Sequence, residues 1–161
     1  MKNKITPCLW FDGDAEEAAE FYVSLVPDSR IESKFRSPTD THSGPSDSVL
    51  TVDFTLAGQR YVGLNGGPMF KFSEAVSFQI HCDNQEEVDR VWDALLDGGQ
   101  PMACGWIKDR WGLTWQIVPT RLLELINDPD SAKAKRAMES MMTMMKIDIA
   151  ELEKTANGEK A

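Results

Sequence analysis

Apolar residues along this chain recur with the period of a strand, then of a helix, then of strands again, and the cycle runs twice. Ile5 to Phe11 is a short apolar and aromatic run ending at Asp12-Gly13, which predicts a strand. Ala18, Phe21, Tyr22 and Leu25 then repeat at helical spacing. They predict a helix from Ala15 to about Leu25, capped by Asp14 with Glu17 reaching back, and Pro27 stops it. Arg30 to Arg36 reads as a strand, and Ser37 to Ser48 as a polar loop. From Val49 to Leu56 the alternation is strict, with Leu50, Val52, Phe54 and Leu56 on one face and Thr51, Asp53 and Thr55 on the other. Ala57-Gly58-Gln59 is a tight turn into a strand from Arg60 to Asn65, closing a hairpin.

The residues from Gly66 to Phe72 form a bridge, and the pattern then restarts. Ala75 to Cys82 alternates as a strand, and Gln85 to Leu96 is a helix ended by Gly98-Gly99. Met102 to Asp109 and Leu113 to Val118 make a second hairpin around Arg110-Trp111-Gly112. Fewer residues separate helix from hairpin this time, so one strand must be shorter or reduced. Asp14-Ala15-Glu16-Glu17 answers to Asn84-Gln85-Glu86-Glu87 at a shift of 70 (84 − 14 = 70). The apolar positions behind each cap match as well: Ala18, Phe21, Tyr22 and Leu25 against Val88, Val91, Trp92 and Leu95. Such a duplication points to a site built between two halves. From Thr120 onward the chain is helical: Leu122, Leu125 and Ile126 first, then roughly Ser131 to Met145 with Met138, Met141, Met142 and Met145 on one side, then a last short helix with a tail that frays from Ala156.

This pattern predicts an α+β fold of paired βαβββ modules with a helical C-terminal extension. The expectation is a single domain over residues 1–161, with module one at about 4–66, module two at about 75–119 and C-terminal helices at about 120–155. Twenty-six acidic against 17 basic residues give a net charge of −9, which repels phosphate backbones and anionic lipid. Nucleic acid and membrane are therefore not expected as partners. No apolar run approaches the roughly 20 residues a bilayer span needs, and no basic-then-apolar leader opens the chain. Cys8, Cys82 and Cys104 make neither an even disulfide set nor a CxxC metal pair, which fits a cytoplasmic protein.

Two strand–helix–three-strand copies, the second closed by Trp111-Gly112-Leu113-Thr114-Trp115-Gln116-Ile117-Val118-Pro119, resemble the vicinal oxygen chelate superfamily of glyoxalase I, bleomycin-resistance proteins and extradiol dioxygenases. Pro7 to Phe11, Glu20-Phe21-Tyr22, Cys104-Gly105-Trp106 and the Met141 to Ile149 tail narrow the resemblance to its PhnB-like branch, often labelled 3-demethylubiquinone 3-methyltransferase-like. The superfamily resemblance implies a divalent metal held by His and Glu on first and last strands. Carried over, those positions fall on Pro7, Ser77, Val62 and Gln116, so neither metal nor another cofactor is expected. Methyl transfer is not expected either, since Asp12-Gly13-Asp14 is a single-glycine turn and no glycine-rich loop follows a strand. PhnB-like proteins are homodimers, and the resemblance implies a homodimer that gives the Met-rich helix a surface to pack on.

In such a fold one sheet face packs on the helix and the other lines a cavity between modules. Alternation assigns Pro7, Leu9 and Phe11 to the cavity and turns Cys8 and Trp10 toward the helix. It also gives the cavity Ser77, Gln79 and His81, together with Thr51, Asp53 and Thr55, and with Thr114, Gln116 and Val118. Phe11, Ser77, Gln79 and Gln116 are accordingly expected to contact a ligand. His81 is the candidate general base, oriented by Asp53 if their strands face each other, and the competing reading is a strand-end histidine and a solvated aspartate. Trp106, Arg110 and Trp111 are candidates to clamp a planar or anionic ligand, against the reading that tryptophans fill the core and Asp109 with Arg110 serve the turn. The expected function is metal-free binding of a small polar or aromatic molecule. The alternative is an enzyme working by acid–base chemistry.

Overall fold

The computed structural model describes residues 3–159. Met1 and Lys2 at the head of the chain, and Lys160 and Ala161 of the tail expected to fray, lie outside the described residues. The chain forms two compact units, Met1–Phe72 and Ser73–Ala161, and the boundary falls at the end of the bridge.

The first unit runs β1 (Cys8–Phe11), α1 (Ala15–Val23), β2 (Arg30–Arg36), β3 (Val49–Leu56) and β4 (Gln59–Asn65). Its sheet has the order β1-β4-β3-β2, with β1 parallel to β4 and the other pairs antiparallel. The β3–β4 hairpin turns through Ala57 and Gly58 at φ +46° and +82°. Positive φ at both central residues is what a right-twisted two-residue hairpin demands. The helix buries Ala15, Ala18, Ala19 and Tyr22 against Val52 and Phe54. Asp14 makes no side-chain cap. The Ala15 amide is satisfied instead by Asn65 Oδ1 at 2.9 Å, from the end of β4, so a tertiary contact does the work that the cap pattern promised.

The second unit runs β5 (Ser77–Cys82), α2 (Gln85–Leu96), β6 (Gln100–Pro101), β7 (Trp106–Lys108), β8 (Thr114–Pro119), α3 (Thr120–Ile126), α4 (Ser131–Met141) and α5 (Ile149–Ala156). Its sheet repeats the first, in the order β5-β8-β7-β6 with β5 parallel to β8. Asn84 caps α2 through the Glu87 amide at 2.9 Å, and the Glu87 carboxylate returns to the Asp83 amide at 2.7 Å. Val88, Val91, Trp92 and Leu95 of α2 are buried on this sheet.

The strand expected over Met102–Asp109 is cut down to β7, Trp106–Lys108, with the two-residue β6 lying ahead of it, and Cys104 and Gly105 between them leave the ladder at φ +61° and +82°. Their amides bond instead to the Met144 and Met145 carbonyls, at 2.8 and 2.7 Å. A side chain at Gly105 would meet the Ile117 carbonyl and Ile147, so glycine is needed where the C-terminal segment crosses. Gln85 fastens the same segment, donating to the Ile147 carbonyl and accepting from the Ile149 amide. Val118, Leu122, Leu125, Ala137, Ile147, Leu152 and Ala156 form the apolar core of this helical extension. Of the expected methionine face Met141 packs against that core, together with Met144 from beyond α4. Met138, Met142 and Met145 are exposed, and α4 itself ends at Met141. Among the described residues no helix is long and apolar enough to cross a membrane.

Candidate functional site

In each unit one sheet face is packed on α1 or α2 and the other, here termed distal, turns away from that helix. In the second unit the strand registers map the distal face residue by residue. Lys108, Thr114 and Ser77 form one row across β7, β8 and β5, and Trp106, Gln116 and Gln79 form the next. Val118 and His81 follow, with Val118 already in the core of the C-terminal helices. Phe78, Ile80, Trp115 and Ile117 alternate onto the helix side, where Phe78 and Trp115 meet edge to face at 5.6 Å.

Three of the expected ligand contacts are joined here in one chain. Gln79 Nε2 donates to Gln116 Oε1 at 3.2 Å, and Gln116 Nε2 donates to Ser77 Oγ at 2.8 Å. Each amide is thereby held in one orientation. Trp106 lies opposite Gln116 in the register and is half-buried. At the end of the first row Lys108 Nζ pairs with the Glu74 carboxylate. The Lys108 hydrogen bond, followed by a backbone bond and the charge itself, holds the Glu74 carboxyl below its usual range.

The metal positions implied by the superfamily do not fit a cation on this scaffold. Gln116 turns its amide nitrogen toward Ser77, whose lone pair that bond occupies, and Val62 offers no side-chain donor. Neutral hydroxyl and amide oxygens already engaged with one another are poor ligands for a transition metal. Among the described residues no group of three or more His, Cys, Asp or Glu side chains is placed to hold a metal ion.

The first unit corrects one expectation. Leu9 and Phe11 are buried beneath α1, Phe11 against Tyr22 at 6.4 Å between ring centroids, so Phe11 is core and not a distal-face contact. Cys8 and Trp10 take the distal face. The cause is one residue. Three residues link β1 to α1, including Gly13 at φ +85°, but two link β5 to α2. The helices therefore repeat at 70. The strands do not: Cys8 pairs with Val62 as Gln79 pairs with Gln116, so they repeat at 71 (79 − 8 = 71). A shift of one inverts every side chain of a strand. The structural counterpart of Ser77 is then Thr6 and not Pro7 (77 − 71 = 6).

Asp53 is on the distal face of the first sheet, as its alternation predicts. It is held there by Arg60 at 3.4 Å and receives the Ser33 hydroxyl at 3.4 Å. Beside it the buried Thr55 hydroxyl donates to Glu32 Oε1 at 2.7 Å. That bond, and after it Arg30 and Arg60, hold the Glu32 carboxyl below its ordinary value against partial burial. His81 is exposed on β5 and bonds to no carboxylate among the described residues. The pair therefore belongs to different units, with Asp53 already engaged in its own.

The tryptophan cluster separates into two parts. Trp106 is on the sheet, whereas Arg110 and Trp111 occupy the β7–β8 turn, the guanidinium 5.3 Å above the Trp111 ring and 3.3 Å from Asp97. Asp109 organises that turn. Its Oδ1 accepts from the Trp111 and Leu113 amides at 2.9 and 3.0 Å, and its Oδ2 accepts from the Trp115 indole at 2.9 Å. Cys82 is fully buried, and desolvation with Glu87 nearby pushes its thiol up to about 12, which makes it inert at neutral pH. Lys108 and Glu74 were not singled out from the sequence. Thirty-four positions part them (108 − 74 = 34), and no local pattern signals such a pair.

The family model for 3-demethylubiquinone-9 3-methyltransferase matches residues 3–118. The chain belongs to this PhnB-like family. A PhnB protein from Bacillus cereus is 32% identical and superposes with a TM-score of 0.67, over 73% of this chain and 100% of that one. PA1353 from Pseudomonas aeruginosa has 20% identity and a TM-score of 0.60, over 73% of this chain and 97% of its own. The fosfomycin resistance protein FosX from Mesorhizobium loti has 14% identity and a TM-score of 0.51, over 73% and 91%. These last two similarities concern the fold alone. The family match and the 32%-identical PhnB protein place the chain among vicinal oxygen chelate proteins, with the paired βαβββ modules expected. No curated protein matches it significantly. The C-terminal helices, from Thr120 on, follow the segment that the family model matches.

Proposed function

We propose that this PhnB-like protein binds a small polar or aromatic molecule, without metal or cofactor, on the distal face of its second sheet. The observation that carries the reading is the Gln79–Gln116–Ser77 hydrogen-bond chain with Trp106 in register beside it. Oriented amides next to an indole supply the few fixed polar groups and the flat apolar wall that small-molecule sites use. The enzyme alternative, with His81 as base, has less support, because no carboxylate among the described residues bonds to His81 and Asp53 is engaged by Arg60. Methyl transfer, in the family's description, has no support from a glycine-rich strand-to-helix turn among the described residues. The reading includes a homodimer, supported by the exposed Met138, Met142 and Met145, and a cytoplasmic setting, supported by the free Cys8, Cys82 and Cys104; sedimentation decides the first.

A thermal-shift screen of small aromatic and polar compounds tests the binding reading. A hit should lose about tenfold in affinity in Gln116→Leu, since orphaning partners in a polar site costs about one hydrogen bond. The same hit should keep its affinity in His81→Ala if no chemistry passes through that imidazole. Turnover that vanishes in His81→Ala would favour the enzyme. A stoichiometric transition metal in the purified protein would refute the metal-free reading.

A further inference from the structure

Val118 follows Gln116 on the distal face of β8, two positions and about 7 Å along the strand. The C-terminal extension is mounted on it: Val118 is 8% exposed and shares one apolar core with Leu122, Leu125 and Ile147. On the neighbouring strand the same extension comes up to the start of β7. The Cys104 amide donates to the Met144 carbonyl at 2.8 Å and the Gly105 amide to the Met145 carbonyl at 2.7 Å, just ahead of Trp106. In the row Trp106–Gln116–Gln79, Gln79 is exposed and the other two are half-buried, so solvent reaches it. Residues 144–147 form a wall beside its Trp106 and Gln116 members. The wall stops at β5, where His81, level with Val118, is exposed.

The wall is held firmly. Gln85 fastens Ile147 and Ile149 by their backbone groups, Lys146 Nζ pairs with Asp89 at 3.0 Å, and Ile147 is 1% exposed. Met145, inside this clamped segment, is nevertheless 59% exposed. A thioether left in water between anchored neighbours adds little to the fold, whereas against an aromatic ring it makes a favourable sulfur contact. The spacing is selective too. A step of about 7 Å is twice the van der Waals separation of about 3.5 Å, so one flat ring fits between the two sides and a puckered one does not. Lys108 and Lys146, the bases on either side of the row, are each paired to a carboxylate. Shape and the Gln79 and Gln116 amides are left to recognise a ligand.

We infer that a planar aromatic ring binds in this step, one face on the Trp106 indole and the other on the Met145 thioether, with its polar substituent on the Gln116 and Gln79 amides. The inference rests on the binding reading above. It adds the shape of the ligand and a wall supplied by the extension, which follows the segment that the family model matches. Met138 and Met142, at the end of α4, stay with the dimer reading.

The test uses the full chain, methyl-labelled at methionine, and two matched amides: benzamide, which is flat, and cyclohexanecarboxamide, which is puckered. The Trp106 indole, the Gln79 and Gln116 side-chain amides and the Met145 methyl are followed by NMR. Benzamide should shift all of them, move the Met145 methyl upfield through its ring current, and bind at least about fivefold more tightly than the puckered amide. Met145→Ala should weaken benzamide about two- to tenfold, the loss of one sulfur–aromatic contact, and narrow its lead over the puckered amide. Trp106→Leu should weaken benzamide as well, and Met142→Ala should leave both amides unaffected. If neither probe moves Trp106, Gln79 or Gln116, the binding reading fails and the step with it. If these move but Met145 does not, if the puckered amide binds as tightly, or if Met145→Ala leaves benzamide unaffected, the step alone is overturned. A Met145→Ala protein that changes only in sedimentation also overturns it, since the thioether would then belong to the dimer.

Discussion

Asp109→Ala removes the acceptor around which the β7–β8 turn is built. Asp109 is 4% exposed, and its carboxylate takes hydrogen bonds from two backbone amides and one indole. Trp111 is half-buried, so its amide finds water once the carboxylate is gone and contributes little to the loss. Leu113 and Trp115 are 1% and 3% exposed, and water does not reach their N–H groups without opening the core. Each buried donor left unmatched costs about 1–3 kcal/mol, which sets the loss near 4 kcal/mol (about 2–6). With a urea m-value of about 1–2 kcal/mol/M, the midpoint falls by about 2–4 M. Asp109→Asn keeps one oxygen for the backbone amides and faces the Trp115 indole with an amide nitrogen, so about half of the loss is expected. Trp115→Phe in the Asp109→Ala background should recover part of it, with a coupling of about 1–2 kcal/mol in a double-mutant cycle. Urea unfolding followed by circular dichroism measures the parent, Asp109→Ala, Asp109→Asn, Trp115→Phe and the double variant. A loss under about 1 kcal/mol for Asp109→Ala, or no coupling to Trp115, would show that the carboxylate is not what holds the turn.

The thiols and one surface carboxylate give two further checks. Cys82, fully buried with its thiol pushed up to about 12, should resist iodoacetamide at pH 8 until the protein is unfolded, while exposed Cys8 is alkylated; peptide mass spectrometry showing the two labelled at similar rates would contradict the burial argument. Asp89 Oδ1 accepts from Gln85 at 2.9 Å and Lys146 at 3.0 Å, and these bonds hold its carboxyl below the usual range. A depressed folded pKa means that its stabilisation is complete above the ordinary carboxylate value, about 4, and disappears as pH falls through the lowered one. Asp89→Asn should therefore unfold more easily than the parent at pH 7, with the gap closing as the pH falls below the ordinary carboxylate value. A gap that stays constant across that range would mean the carboxylate's charge plays no part.

The sequence by itself determined the elements whose signals are local. The strict alternation of Val49–Leu56 and the helix of Gln85–Leu96 between Asn84 and Gly98-Gly99 appear with the bounds expected. So does the turn at Ala57-Gly58, because burial periodicity and backbone conformation are written in neighbouring residues. The distal-face placement of Ser77, Gln79 and Gln116 was legible for the same reason. Tertiary structure decided whatever depended on a count across a connection or on a partner far along the chain. One extra residue at Asp12–Asp14 inverted β1 and sent Phe11 into the core, although the helices kept their spacing of 70. The C-terminal segment took the Cys104 and Gly105 amides out of the sheet and cut short a strand that was continuous in its pattern. The Asp14 side chain made no cap, and the acceptor at the start of α1 came from Asn65, fifty residues on, bonded to the Ala15 amide. Thr114, one more polar residue in an alternating run, became an unmatched buried hydroxyl only when β5 and β7 closed on either side of it. Hydrogen-bond satisfaction is a property of three-dimensional neighbours, and a sequence states which groups need partners without stating which will find them.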